Sequence, residues 1–175
     1  IREKRESNET GIKPVIVKEF YNDGSTDILK YAIELIDNPI IKNAVKNAKN
    51  IKVVVFSNEE FSKDGVAAWY QPNTNSIYIY EENLRIDRGA FQLLAHELIH
   101  GVTHISINYD NEFKNEINRL LEEVKNKTGK KYQKNNEDSI YGLKDEHEFL
   151  SEAFSNPLFK QLLESIKDEK ETNLS

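Results

Sequence analysis

Residues 88–105 read RGAFQLLAHELIHGVTHI, and how this stretch folds decides how the rest of the chain is arranged. Phe91, Leu94, Leu98, Val102 and Ile105 fall on one stripe at about 100° per residue, which predicts a long helix from about Arg88 to Ile105, with Asp87 as its cap. His96 and His100 fall on roughly the opposite side. At i and i+4 the two imidazoles are about 40° apart around the axis and about 6 Å apart along it, so both reach one metal ion. Glu97, between them, is placed to take a proton from a metal-activated water and pass it to a leaving amine. One face of the helix is expected to pack on a sheet, leaving the histidines to face a second lobe across a cleft.

Upstream, Val66–Tyr70 and Ser76–Glu81 flank Pro72-Asn73-Thr74-Asn75 and read as a β-hairpin. Ile77 and Ile79 point to one side of the sheet, Tyr78 and Tyr80 to the other. The second arm is expected to be an edge strand to which an extended peptide adds, with Tyr78, Tyr80, Trp69 and Tyr70 lining side-chain subsites; hairpin packing is the plainer use of those rings. Ile51–Phe56 (IKVVVF) is a buried strand. Before it, Ile28, Leu29, Ala32, Ile33 and Ile36 recur at helical spacing. Asn38-Pro39 then caps a second short helix through Ile40, Ile41, Ala44, Val45 and Ala48.

Downstream, a helix of about Asn111 to Lys127 carries Phe113, Ile117, Leu120, Leu121 and Val124 on one stripe. Lys125–Asp138 is polar and loop-like. A helix begins near Asp145 and another runs past Pro157. Strands come first and helices afterwards, which argues for an α+β domain. The expected organisation is a loose end or linker stub over 1–10 and one domain over 11–175. That domain divides into a helical part over 11–50, the sheet and active-site helix over 51–107, and a helical lobe over 108–175.

Composition narrows the function classes. The 175 residues include 24 Lys+Arg against 30 Asp+Glu, for a net charge of −6, and neither Cys nor Met. That balance argues against sequence-independent nucleic-acid binding, which needs a basic surface to displace counterions. The negative bias lies after residue 50 and suits either basic substrates or a solvated acidic surface. No apolar run approaches the roughly 20 residues of a membrane span, and no signal-peptide pattern opens the chain. The missing cysteines exclude a disulfide scaffold, a thiol nucleophile and thiolate-bound zinc. The missing Met, initiator included, leads to the expectation of a piece of a larger protein.

A zinc site needs a third protein ligand and an open position for water. His104, four residues past His100, drifts further around the helix and is expected to lie beside the site or on the surface. The better candidate is in Asp145-Glu146-His147-Glu148-Phe149-Leu150-Ser151-Glu152-Ala153-Phe154. There Glu148 and Glu152 share a face one turn apart, away from Phe149, Leu150 and Ala153. A ligating carboxylate followed at i+4 by a second one is sensible, because the second holds a ligating His by its other ring N–H. A solvated acidic helix face gives the same pattern.

Two His, a Glu and a separate Glu helix resemble the gluzincin pattern. The stretch from Tyr141-Gly142 to Phe154 is similar to the third-ligand segment of the anthrax lethal factor family: a Tyr-Gly, then a metal-ligating Glu seven residues after the Tyr, in an E-F-x-x-E-A-F context. The continuation Ser155-Asn156-Pro157-Leu158-Phe159 also resembles metallopeptidase-like domains of multidomain phage and mobile-element proteins. The resemblance covers about residues 66–160, is weak before the hairpin and is absent before Ile51. It implies a zincin-like fold: a small mixed sheet with an edge hairpin packed on the HExxH helix, followed by a helical lobe. It also implies His96, His100 and Glu148 as ligands of one catalytic Zn2+, Glu97 as general base and Tyr141 as the hydroxyl beside the oxyanion; a loop tyrosine half-buried for packing is the alternative for Tyr141. Lethal factor's other domains have no counterpart here, so its substrate is not carried over.

The function these residues lead us to expect is zinc-dependent cleavage of a protein or peptide. Two other readings stand beside it. One is a catalytically inactive zincin-like binding or structural module of a larger protein, secreted or virion-associated rather than cytoplasmic. The other is zinc hydrolysis of a different amide, such as that of peptidoglycan.

Overall fold

A computed structural model of the chain describes residues 15–57, 67–84 and 88–174, with residue 88 and residues 167–174 given by their backbone alone. The expected linker stub over 1–10, the start of the hairpin at Val66 and the Asp87 cap lie outside the described residues. The architecture is α+β: among the described residues there are six α-helices and one four-stranded mixed sheet. In chain order they are β1 (Ile16–Tyr21), α1 (Asp27–Glu34), α2 (Pro39–Asn47), β2 (Lys52–Phe56), β3 (Ala68–Gln71), β4 (Ser76–Tyr80), α3 (Arg88–Tyr109), α4 (Asn111–Thr128), α5 (Glu146–Ser155) and α6 (Pro157–Leu174). No helix among the described residues is long and apolar enough to cross a membrane.

The sheet runs β1-β2-β4-β3, with β2 and β4 parallel and both outer pairs antiparallel. Two expectations are corrected here. The part read as helical, 11–50, opens with a strand. Only Phe20 of β1 is buried, so this edge strand has no alternating apolar pattern to betray it. The second hairpin arm, β4, is not an edge strand. It lies between β2 and β3, because the buried Val53–Phe56 run needs a partner on each side and β4 supplies one of them. The edge on the hairpin side is β3, which pairs on one side only among the described residues.

Alternation along the strands divides the sheet into two faces. One face presents Phe20, Val53, Val55, Ala68, Ile77 and Ile79 to Leu94, Ala95, Leu98 and Ile99 of α3, with Leu29, Ala32 and Ile33 of α1 and Val45 of α2 completing the core. The other face carries Val54, Phe56, Trp69, Tyr78 and Tyr80. There Tyr78 stacks between Phe56 (5.5 Å between ring centroids) and Trp69 (5.3 Å). Tyr78, Tyr80 and Trp69 therefore do not line subsites beside the histidines. Side chains next to each other in a strand point to opposite faces, and Ile77 and Ile79 take the face that α3 covers.

A second core joins Ile107 at the end of α3 to Ile117, Leu121 and Val124 of α4, Phe149 and Leu150 of α5 and Phe159 of α6. The long helix is thus gripped by the sheet over its first half and by the helical lobe at its end. This changes the expected stripe. Leu94 and Leu98 are fully buried, but Ala95 and Ile99 join them and Ile105 is 69% exposed. A helix held from two sides buries a broad arc rather than a single line. Leu120 of the expected α4 stripe is likewise exposed. The Asn38 cap behaves as expected, its side chain accepting from the Ile40 and Ile41 amides at 3.0 Å each.

Candidate metal centre

Three donor atoms from two helices converge on one point. His96 Nε2 and His100 Nε2, one turn apart on α3, lie 2.9 and 2.6 Å from the same Glu148 Oε1 of α5, and 3.0 Å from each other. These three residues form a group close enough to hold a metal ion. Each side chain is only 11–13% exposed. A carboxylate this deeply buried is stable only with charged or donating partners.

The third residue is delivered to this point by local chemistry on α5. Asp145 caps the helix by accepting from the Glu148 amide at 2.8 Å, which fixes the first turn just where the carboxylate leaves it. One turn later Ser151, fully buried, donates its hydroxyl to the His96 carbonyl. That bond ties the backbone of His96 to the helix that carries Glu148. Phe149 and Leu150 point the other way, into the helical core. Gly142, in the turn before α5, lets the chain pass against Phe159: a Cβ there would lie 2.6 Å from the ring tip. On the other side, Gly101 lets α3 sit on Ile51, whose terminal methyl would be 2.7 Å from an added Cβ.

Glu152 stands 3.5 Å from His96 Nδ1 through Oε2, on the far side of the ring from the convergence point. Such a carboxylate fixes the ring so that Nε2 is the atom presented to a metal. Burial alone would push the His96 imidazolium down. The bonds from Glu148 and Glu152 and the charge of Glu97 outweigh it and raise its pKa to about 10. Burial likewise works to raise the Glu148 pKa, but His100, His96 and Tyr141 hold it well below the usual carboxylate range.

Glu97 is buried on α3 between the two histidines, 5% exposed. Tyr141 is beside the centre: its ring centroid is 6.0 Å from that of His96, and its hydroxyl donates to Glu148 Oε2. All the residues expected at the centre are therefore brought together, while the subsite residues Tyr78 and Tyr80 are not. Tyr70, on the α3 face of β3, is the aromatic residue that approaches the helix, with its ring centroid 6.3 Å from that of His104. His104 is outside the converging trio, as expected, and stacks on His147 with centroids 5.3 Å apart. Burial pushes the pKa of both of these imidazoles down. Sequence reasoning gave no role to Ser151 or Asn108. A serine inside a helix has no pattern that announces a partner on another element.

The donor set fits a small divalent cation. Two imidazole nitrogens and one carboxylate oxygen are a characteristic zinc set. Ligands at about 2.0–2.1 Å in a tetrahedron are about 3.3 Å apart, so the 2.6–3.0 Å edges need to open by about 0.3–0.7 Å. Comparison with protein-family models, with characterised proteins and with solved structures finds no match for the chain.

Proposed function

We propose that the chain is a zinc-dependent endopeptidase of the gluzincin type, built on a zincin-like fold. The observation that carries the reading is the convergence of His96, His100 and Glu148 with Glu97 buried beside them. In this reading His96, His100 and Glu148 hold the ion. Bound there, zinc supplies Lewis acidity toward a scissile carbonyl and brings the ionisation of water near neutral pH. Glu97 takes the proton of the attacking water and hands it to the leaving amine. Tyr141 turns its hydroxyl from Glu148 Oε2 to the developing oxyanion and donates a hydrogen bond to the charge that forms there. Glu152 keeps the His96 ring in the ligating orientation.

The substrate in this reading is an extended peptide, and the corrected sheet order changes where it lies. Among the described residues the edge strand on the hairpin side is β3, next to α3, so a peptide adds there rather than to β4. Tyr70 replaces Tyr78 and Tyr80 as the aromatic side chain facing it. The setting in a larger secreted or virion-associated protein rests on the sequence resemblance alone.

One observation favours the inactive binding module as a second reading. The Tyr141 hydroxyl donates to Glu148, so the proposed oxyanion donor is spent on a ligand. Mass spectrometry of a complex peptide library, incubated with the zinc-loaded chain and with Glu97→Ala, separates the two. Cleavages made only by the unaltered chain, with at least about a hundredfold lower rate in Glu97→Ala and equal zinc content, establish the peptidase. Equal, background-level cleavage by both chains overturns it in favour of the module.

A further inference from the structure

The chain has four histidines, and all of them lie along α3 and the facing edge of α5. Two belong to the centre described above. The other two, His104 and His147, meet at a single side chain, Asn108. His147 Nε2 donates to Asn108 Oδ1 at 2.9 Å, and Asn108 Nδ2 donates to His104 Nε2 at 3.0 Å. The rings stack with centroids 5.3 Å apart and 28° between their planes. Oxygen and nitrogen of one amide share a carbon, so both ring nitrogens are held against the same amide and the small volume around it.

This trio repeats the construction of the first. There, α3 supplies a pair at i and i+4 (His96 and His100) and α5 supplies Glu148. Here α3 supplies another i, i+4 pair (His104 and Asn108), two turns further on, and α5 supplies the neighbouring His147. The two helices run past each other so that each presents donors at both levels. His100 and His147 have ring centroids 6.5 Å apart, which places the second trio directly beside the first. Asn108 is exposed, so the volume is open to solvent.

We propose that His104, Asn108 and His147 form a second cation site, for a divalent ion of borderline softness such as Zn2+. Both histidines offer the Nε2 lone pair. His104 already has that tautomer, and His147 reaches it by moving its proton from Nε2 to Nδ1. Asn108 turns its carbonyl oxygen to the ion, and water completes the shell. Two neutral imidazoles and an amide, without a buried carboxylate, make this site weaker than the first by roughly two orders of magnitude, so it fills second. The inference does not depend on whether the first site cleaves anything.

The test is titration of the chelator-stripped chain with Zn2+ alone, counting bound ions by native mass spectrometry and ranking affinities by competition with a chromophoric chelator. The unaltered chain takes two ions. His104→Ala keeps the tight one and loses the weak one, whereas Glu148→Ala loses the tight one and keeps the weak one. Asn108→Asp replaces the amide by a carboxylate at an exposed position and tightens the weak site roughly tenfold or more. An unaltered chain that stops at one ion, or an Asn108→Asp chain whose second affinity does not rise, shows the trio to be a packing contact and overturns the proposal. The Asp variant decides even where His104→Ala does not fold. A Glu148→Ala chain that keeps its tight ion sinks the first centre and leaves the second standing.

Discussion

The two helices of the centre are held in different ways. α3 is gripped by apolar packing at both ends, with Leu94, Ala95, Leu98 and Ile99 in the sheet core and Ile107 in the helical core. α5 lies mostly in the helical core and meets the sheet core through Phe154, and polar hooks set its carboxylate: Ser151 ties the helix to α3 at the His96 carbonyl, while Asp145 on the Glu148 amide and Tyr141 on the Glu148 carboxylate hold Glu148 from its own segment. The two histidines are therefore placed by the fold as a whole, and the carboxylate by a few named bonds. Damage to the sheet should unfold the protein without retuning the metal. Damage to the hooks should retune the metal in a protein that still folds.

The largest effect expected is that of Glu148→Ala, which removes a ligand outright. It leaves two imidazoles, and zinc affinity should fall by several orders of magnitude, read by chelator competition. Zinc content equal to that of the unaltered chain would show that α5 does not supply the third ligand. Next comes Phe56→Ala on the sheet face turned away from α3. Phe56 is 7% exposed and touches the rings of Trp69, Tyr78 and Tyr80, so its loss should lower stability by about 3–4 kcal/mol in denaturant unfolding. Zinc affinity of the folded fraction should not change. A parallel fall in affinity would mean that the two faces of the sheet are coupled and that the comparison fails.

The same contrast separates two glycines. Gly142→Ala drives a Cβ to 2.6 Å from the tip of the Phe159 ring, itself packed edge-on against Phe149 with centroids 5.6 Å apart. A rigid ring cannot yield without moving its neighbours, so a loss of about 1–3 kcal/mol is expected, together with weaker zinc binding as Tyr141 and α5 shift. Gly101→Ala meets a flexible Ile51 methyl. There the gain of about 1 kcal/mol in helix propensity offsets the crowding, and the variant should be near neutral. Equal losses for the two would show that the close approaches are equivalent and that α5 is not the softer partner.

What was legible in the sequence follows from the same physics. α3 was legible because His96, His100 and its apolar residues obey one helical period, and α4 because Phe113, Ile117, Leu121 and Val124 keep helical spacing; the caps that start α4 and α5, Asp110 and Asp145, were not read from the sequence. β1 was not, since a strand with one buried residue has no period to find. The sheet order was not, because the IKVVVF run shows burial on both faces but not which strands provide it. Of the centre, the grouping of His96, His100 and Glu148 was legible through spacing and through the resemblance of the Tyr141–Phe154 stretch, whereas the bonds that position them were not. Ser151 and Asn108 act on residues 55 and 39 positions away, and nothing in a single sequence marks such a pairing. Ile105 misled because helical spacing names a stripe but not how far a second lobe extends over it.

The finest test of the comparison sets two helix caps side by side. Asn38 caps α2 by accepting from two amides, and Asp145 caps α5 by accepting from the amide of the third ligand itself. As caps they are alike, and Asn38→Ala and Asp145→Ala should each lower stability by about 1 kcal/mol. They differ in what hangs on the capped turn. Fraying the first turn of α2 leaves the centre untouched. Fraying the first turn of α5 lets the Glu148 backbone move, and the carboxylate must then be reordered each time an ion binds. Asp145→Ala should therefore weaken zinc by a few-fold to about tenfold, in line with the loss of a group that orients a ligand, while Asn38→Ala leaves affinity unchanged. If both caps cost stability but neither moves the zinc affinity, Tyr141 and Ser151 are enough to fix Glu148, and the cap is a feature of the helix rather than of the site.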